Sequence, residues 1–112
     1  MAEIDGGDAF GRALKQEGVK QVFTLNGGHI YELYEGCAEN CIDIVDFRHE
    51  QVAAHAAEGW AKVTGEPGVC IVTAGPGVTG TVTAVANAYP VSYTHLRAHE
   101  TRHDLVCRLL LE

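Results

Sequence analysis

Apolar positions in this chain switch back and forth between helical and extended spacing up to Tyr89. From Gly7 to Gln16 they recur at helical intervals, with Ala9, Phe10, Ala13 and Leu14 on one predicted face and Gly18 as the stop. Val19 to Leu25 reads as a strand through Val22, Phe23 and Leu25, and Asn26-Gly27-Gly28-His29 as a glycine loop. A second helix is expected over Ile30 to Glu39, a second strand over Ile42 to Phe47, and a third helix over His49 to Val63. Gly65 and Pro67 supply its C-terminal punctuation. Val69 to Thr73 is almost wholly apolar, as a parallel strand buried on both faces should be. Gly75-Pro76-Gly77 then turns the chain into a last helix running to about Tyr89.

Helices and strands alternating through short glycine loops specify an α/β fold of the doubly wound, parallel type. Three strands are legible where such sheets commonly have five or six, so the expected fold is an incomplete doubly wound parallel sheet. That leaves a sheet edge to be covered by something else.

The length of 112 residues and 46% apolar content suit one small folded domain. A formal net charge of −7 argues against nucleic acid as partner, because neutralising phosphates needs a basic surface. The apolar runs are too short and interrupted to cross a bilayer. Met1-Ala2-Glu3-Ile4-Asp5 is acidic and lacks the basic start of a signal peptide, which points to a cytoplasmic location. Cys37, Cys41, Cys70 and Cys107 lack zinc-ligand spacing as a set, so reduced structural thiols are expected.

After Tyr89 the texture changes. The residues up to it carry 5 basic and 12 acidic groups, whereas Pro90 to Glu112 carry 3 of each. His95, His99 and His103 are four apart, with Cys107 one step further, and a helix would stack them. Such a stripe spreads its ligands over more than about 10 Å, too far for one zinc. The stretch Val91 to Thr101, with its Asp104 to Leu111 ending, resembles translated sequencing-adapter read-through. The expected organisation is therefore a partial domain over 1–89 and a non-native tail over 90–112, whose composition permits a helix.

The candidate chemistry centres on Arg48-His49-Glu50-Gln51, where a strand passes into the alanine-rich helix. In open α/β sheets, ligands bind at the carboxyl ends of the strands. A carboxyl group walled in there by small and apolar residues is a candidate proton handler, because desolvation favours its neutral form. The bland alternative is an acidic residue complementing the helix dipole. His29 stands at the end of the first strand and by the same logic faces the same cleft; otherwise it is a surface loop histidine. His49 has a ready structural role as a helix cap, and His55 as a packing residue.

Taken together, Arg48-His49-Glu50-Gln51, the run Ala53 to Ala61 and Val72-Thr73-Ala74-Gly75-Pro76-Gly77-Val78-Thr79 resemble the pyrimidine-binding domain of thiamine-diphosphate enzymes. The likeness is to the group containing acetolactate synthase, benzaldehyde lyase and 2-hydroxyacyl-CoA lyase, and covers residues 3 to about 89. It implies that Glu50 hydrogen-bonds the ring nitrogen N1′ of the cofactor aminopyrimidine. The shared proton favours the imino tautomer of the 4′-amine, which then deprotonates the thiazolium. It implies that His29 faces substrate and relays protons, and that Gly28, Thr73 and Pro76 line the cofactor pocket. The Gly80 position, where the family often has asparagine, departs from the pattern.

The resemblance further implies a small-molecule carbonyl substrate, a 2-keto acid or 2-hydroxy carbonyl compound. Thiamine diphosphate would be shared with a missing domain that carries Mg2+, with FAD a further possibility in the parent. The parent would be a homodimer or homotetramer with the cofactor between subunits, and the fragment alone would be inactive. A split enzyme, in which the chain pairs with a separate diphosphate-binding chain, is one alternative. Another is dinucleotide binding, since Gly75 to Gly80 fits G-x-G-x-x-G with Glu100 about 20 residues on. That fingerprint normally follows the first strand of its unit, whereas here it follows the third.

Overall fold

The computed structural model describes residues 5–89, 95–96 and 107–111. Helix α1 (Gly6–Gln16) leads into β1 (Gln21–Thr24), followed by α2 (Tyr31–Glu39), β2 (Asp43–Asp46) and α3 (Glu50–Thr64). Strand β3 (Gly68–Val72) and α4 (Pro76–Ala88) complete the alternation, and two strands, β4 (His95–Leu96) and β5 (Cys107–Leu111), come after it. The caps follow the sequence signals. Asp5 accepts from the Asp8 amide at 2.7 Å to start α1, and Gly18, at φ +79°, ends it. The His49 ring accepts from the Gln51 amide at 3.1 Å to start α3, and Gly65, at φ +70°, ends it.

The three parallel strands lie in the order β2-β1-β3. Side-chain alternation on the two inner strands divides the core into two layers. Val22, Val69 and Ile71 join Leu14, Ile30 and Cys37 under α1 and α2. On the opposite face Phe23, Cys70 and Val72 meet Ala53, Ala54 and Ala57 of α3 and Ala84 and Ala88 of α4. Trp60 and Phe47 flank Phe23 with ring centroids 6.3 and 6.2 Å away. Helices thus cover both faces, and the doubly wound expectation holds. β3 is buried at all five residues, whereas the edge strand β2 is mostly exposed.

Two expectations are corrected. On α1 the buried stripe is Gly7, Gly11 and Leu14, and Ala9 and Ala13 are exposed. The reason is backbone contact with α2: a Cβ built on Gly11 would stand 2.1 Å from the Gly36 carbonyl oxygen, and one on Gly36 would stand 1.9 Å from that of Gly7. Glycine here is an interface residue, which a scale of side-chain hydrophobicity cannot register. The described parts of the tail are strands, not helix. β5 runs antiparallel along the edge of β3, Gly68 opposite Leu111 through Val72 opposite Cys107, and β4 pairs with β5. Extended backbone at His95 and Cys107 removes the helical stacking on which a histidine stripe depended; His99, His103 and Glu100 lie outside the described residues.

Cys37 and Cys70 are buried and Cys41 is exposed, all three free. Desolvation pushes the Cys37 thiol up to about 11, so it stays protonated and unreactive near neutrality.

Candidate functional site

Strands β1, β2 and β3 end together, and each hands over to a loop carrying a candidate residue. The chain reverses direction of travel across the sheet after β2, so α2 and α4 leave β1 and β3 on opposite faces. The crevice between those strand ends is the place where such sheets bind ligands. Thr24 pins the two strands together at this point: its hydroxyl donates to the Ile71 carbonyl at 2.6 Å. With that proton committed, the Tyr34 hydroxyl must be the donor in its 2.7 Å contact with Thr24 Oγ1. Burial pushes the Tyr34 phenol up from its ordinary range, against a smaller opposite effect of that hydrogen bond.

Across the crevice, His29 Nδ1 lies 3.2 Å from Thr73 Oγ1. The ring is exposed and Thr73 half-buried. Gly27 makes the approach possible, because a Cβ there would fall 2.4 Å from Thr73 Cβ. Gly77, one turn into α4, touches the other side, its built Cβ standing 3.0 Å from Thr73 Cγ2. One helical turn on, Gly80 faces Glu50: a Cβ on Gly80 would be 3.0 Å from Glu50 Oε2 and 3.3 Å from its Cβ. His29, Thr73, Gly77, Gly80 and Glu50 therefore form a continuous line of neighbours around the start of α4.

Glu50 is the first residue of α3 and half-buried. Its carboxylate makes no hydrogen bond or ion pair among the described residues, and the helix start is already capped by the ring of His49. Glu50 also lies in the first turn of α3, where a carboxylate complements the helix dipole. No direct bond joins Glu50 to His29 among the described residues; the two lie at opposite ends of the line. Pro76 opens α4 and is exposed, and its neighbour Gly75 takes φ +70°.

Sequence reasoning singled out Gly28, yet a Cβ on Gly28 would meet nothing within 4 Å, and the sterically required glycine is Gly27. Gly80 was the position of departure, and the structure seats it directly against the carboxylate. Tyr34 went unnoticed; the available signal was a polar Thr24 directly after Val22 and Phe23 at the end of an inner strand, which needs partners when buried. The alanine-rich helix α3 buries Ala53, Ala54 and Ala57 under the sheet, and Gly68 lets the Ala57 carbonyl lie where a Cβ would clash at 2.0 Å.

The most buried charge lies elsewhere. Glu58 on α3, 5% exposed, accepts from Lys62 Nζ and contacts His55 Nδ1 at 3.4 Å. Desolvation pushes its carboxyl up, but the hydrogen bonds and charges of Lys62 and His55 outweigh this and leave it below the usual range. No group of three or more His, Cys, Asp or Glu among the described residues is placed to hold a metal ion. No described helix is long and apolar enough to cross a membrane.

Comparison with known proteins places the chain in a family. Residues 4–96 match the family described as thiamine pyrophosphate enzyme, N-terminal TPP binding domain. The chain is 54% identical over 85 residues to an acetolactate synthase large subunit of Mycobacterium tuberculosis, covering 76% of this chain and 16% of that protein. It is 49% identical over 83 residues to 2-hydroxyacyl-CoA lyase 2 of Homo sapiens, covering 74% and 13%. With the acetolactate synthase isozyme 3 large subunit of Escherichia coli it shares 44% over 90 residues, covering 80% and 16%. The chain spans between 13% and 16% of the length of these three relatives.

Proposed function

The chain belongs to the thiamine pyrophosphate enzyme family as its N-terminal TPP binding domain, and from that premise we propose that it holds the aminopyrimidine of thiamine diphosphate in an enzyme that makes or breaks carbon–carbon bonds beside a carbonyl. The observation that carries this is Glu50: a half-buried carboxylate at the carboxyl end of a parallel sheet, without a protein partner among the described residues and kept clear by Gly80. Those features fit a ring nitrogen that shares a proton with a carboxyl oxygen.

When bound, thiamine diphosphate supplies a nucleophilic carbon and an electron sink for the bond next to the carbonyl. The protein supplies orientation and one positioned acid. Glu50 holds the proton at its carboxyl oxygen against the pyrimidine ring, and its place at the rigid start of α3 fixes where that proton lies. His29, on the opposite side of the crevice, moves protons to and from the substrate. Gly28, Thr73 and Pro76 line the pocket. The substrates are 2-keto acids or 2-hydroxy carbonyl compounds.

The diphosphate and its Mg2+ belong to a second domain, and FAD is a further cofactor if the parent is of the acetolactate synthase type. The parent is a cytoplasmic homodimer or homotetramer with the cofactor between subunits. Residues 90–112 are a non-native tail, and the isolated chain is inactive.

The test is a chimera joining residues 1–89 to the remainder of the Mycobacterium tuberculosis relative. Thiamine-diphosphate-dependent consumption of a 2-keto acid is expected, falling by about 100-fold or more on Glu50→Gln, the usual worth of a positioned proton-transfer group. A chimera that turns over equally well with glutamine at 50 would refute the reading, as would turnover by the 112-residue chain alone.

A further inference from the structure

Thr73 sits where two glycines meet. Gly27 approaches from the loop after β1 and Gly77 from the first turn of α4, and a side chain on either would strike Thr73. Its methyl is held against Gly77, and its hydroxyl is presented to the one polar group beside it, His29 Nδ1 at 3.2 Å. No other hydrogen bond of Thr73 Oγ1 occurs among the described residues. The histidine ring is exposed, and the Thr73 contact is its hydrogen bond among the described residues.

We propose that Thr73 is a positioning residue that sets the tautomer and orientation of His29. The hydroxyl donates to Nδ1, so the proton of the neutral ring resides on Nε2 and is turned toward the crevice. Neutral imidazole already prefers its proton on Nε2, and a hydroxyl donating to Nδ1 reinforces that preference, whereas accepting from Nδ1 would oppose it. The glycines matter because they hold the Thr73 oxygen against Nδ1 in one rotamer; the hydroxyl hydrogen still turns freely, and the ring's own preference sets the direction of the bond. His29 then presents Nε2–H to the crevice as a hydrogen-bond donor to a substrate oxygen, and Thr73 keeps the neutral ring in that form between turnovers. The functional consequence rests on the proton-handling role proposed for His29; the tautomer itself does not.

The experiment is nitrogen-detected NMR of the histidine rings in the 112-residue chain, at alkaline pH where the imidazoles are neutral. In the wild type His29 should show the Nε2-protonated form alone, with Nδ1 shifted as a hydrogen-bond acceptor. Thr73→Val keeps the branched shape between the glycines and removes the hydroxyl; its His29 signals should move to those of free histidine, and Thr73→Ser should restore them. A wild-type ring protonated on Nδ1, or one already averaged between forms, overturns the proposal. So does a His29 spectrum unchanged by Thr73→Val. In the chimera, Thr73→Val should lower kcat about threefold to tenfold, the worth of one neutral hydrogen bond, and should do nothing further once His29 is alanine. An equal loss with and without His29 would assign Thr73 a merely structural role. The NMR result stands without any cofactor, so a chimera indifferent to Glu50→Gln sinks the functional reading and leaves the tautomer assignment to its own test.

Discussion

Substituting Gly36 by alanine should destabilise the protein although the residue lies inside a helix. In an exposed helix interior, glycine to alanine gains up to about 1 kcal/mol. At Gly36 the added methyl would lie 1.9 Å from the Gly7 carbonyl oxygen and 2.3 Å from its carbon, against a floor of 3.0 Å for real Cβ contacts. Both atoms are backbone, so neither can swing aside, and α1 and α2 must separate by about 1 Å. Overpacking of that kind costs about 1–3 kcal/mol, and separation also loosens Leu14 and Cys37, which are fully buried beneath the two helices. Subtracting the propensity gain leaves a net loss of up to about 2 kcal/mol, a large part of the stability of so small a domain. Gly59 on α3 is the control, because a Cβ there meets nothing within 4 Å. Gly59→Ala should stabilise by about 0.5–1 kcal/mol. Urea unfolding followed by far-UV circular dichroism reads both, and the Gly36→Ala midpoint should fall by up to about 1–2 M. If the two substitutions shift the midpoint in the same direction, the helix–helix contact is not what holds Gly36.

Other consequences can be checked in simpler experiments. Glu58→Gln should cost about 1–2 kcal/mol at neutral pH, the low figure reflecting partly exposed partners. The ionised carboxylate favours the folded state, so this stability is present above the usual carboxylate value of 4.5 and is lost as pH falls through the lowered one. The difference from wild type should therefore vanish in acid, as thermal melts across pH would show. Among Cys37, Cys41 and Cys70, maleimide should label Cys41 far ahead of the others at neutral pH, as peptide mass spectrometry can read. The neutral Cys37 thiol favours folding, so stability should also decline as pH rises from 9.0 toward about 11. Deleting residues 90–112 should speed hydrogen exchange at alternate amides of β3 while leaving α3 protected; unchanged exchange would show that β5 does not hold that edge in solution.

Much of the fold was legible because its signals are local. Gly65 and Gly18 announced left-handed helix ends, and His49 announced a cap. The unbroken apolar run Val69 to Val72 announced a strand covered on both faces. Burial on α1 was not legible, because contact between glycine backbones leaves no hydrophobic stripe to read. The site was half legible. Glu50 and His29 could be placed at strand ends from element order alone, but their neighbours depend on which faces of α4 turn toward which loops. Hence the contact of Gly27 with Thr73 and that of Gly80 with Glu50 became visible only once the loops and helices were packed together. The composition of the tail permits a helix, but leucine-rich sequence suits helix and strand alike, and Cys107 to Leu111 pairs with the open edge of β3 as a strand.

That edge has a bearing on what else can join this sheet. A doubly wound sheet grows by laying the next strand alongside β3 in the same direction, but β5 already lies there pointing the opposite way. The two arrangements exclude one another, since one strand border accepts a single neighbour. A parallel strand supplied by another chain must first displace β5 from this border, and a version ending at Tyr89 should be the readier recipient.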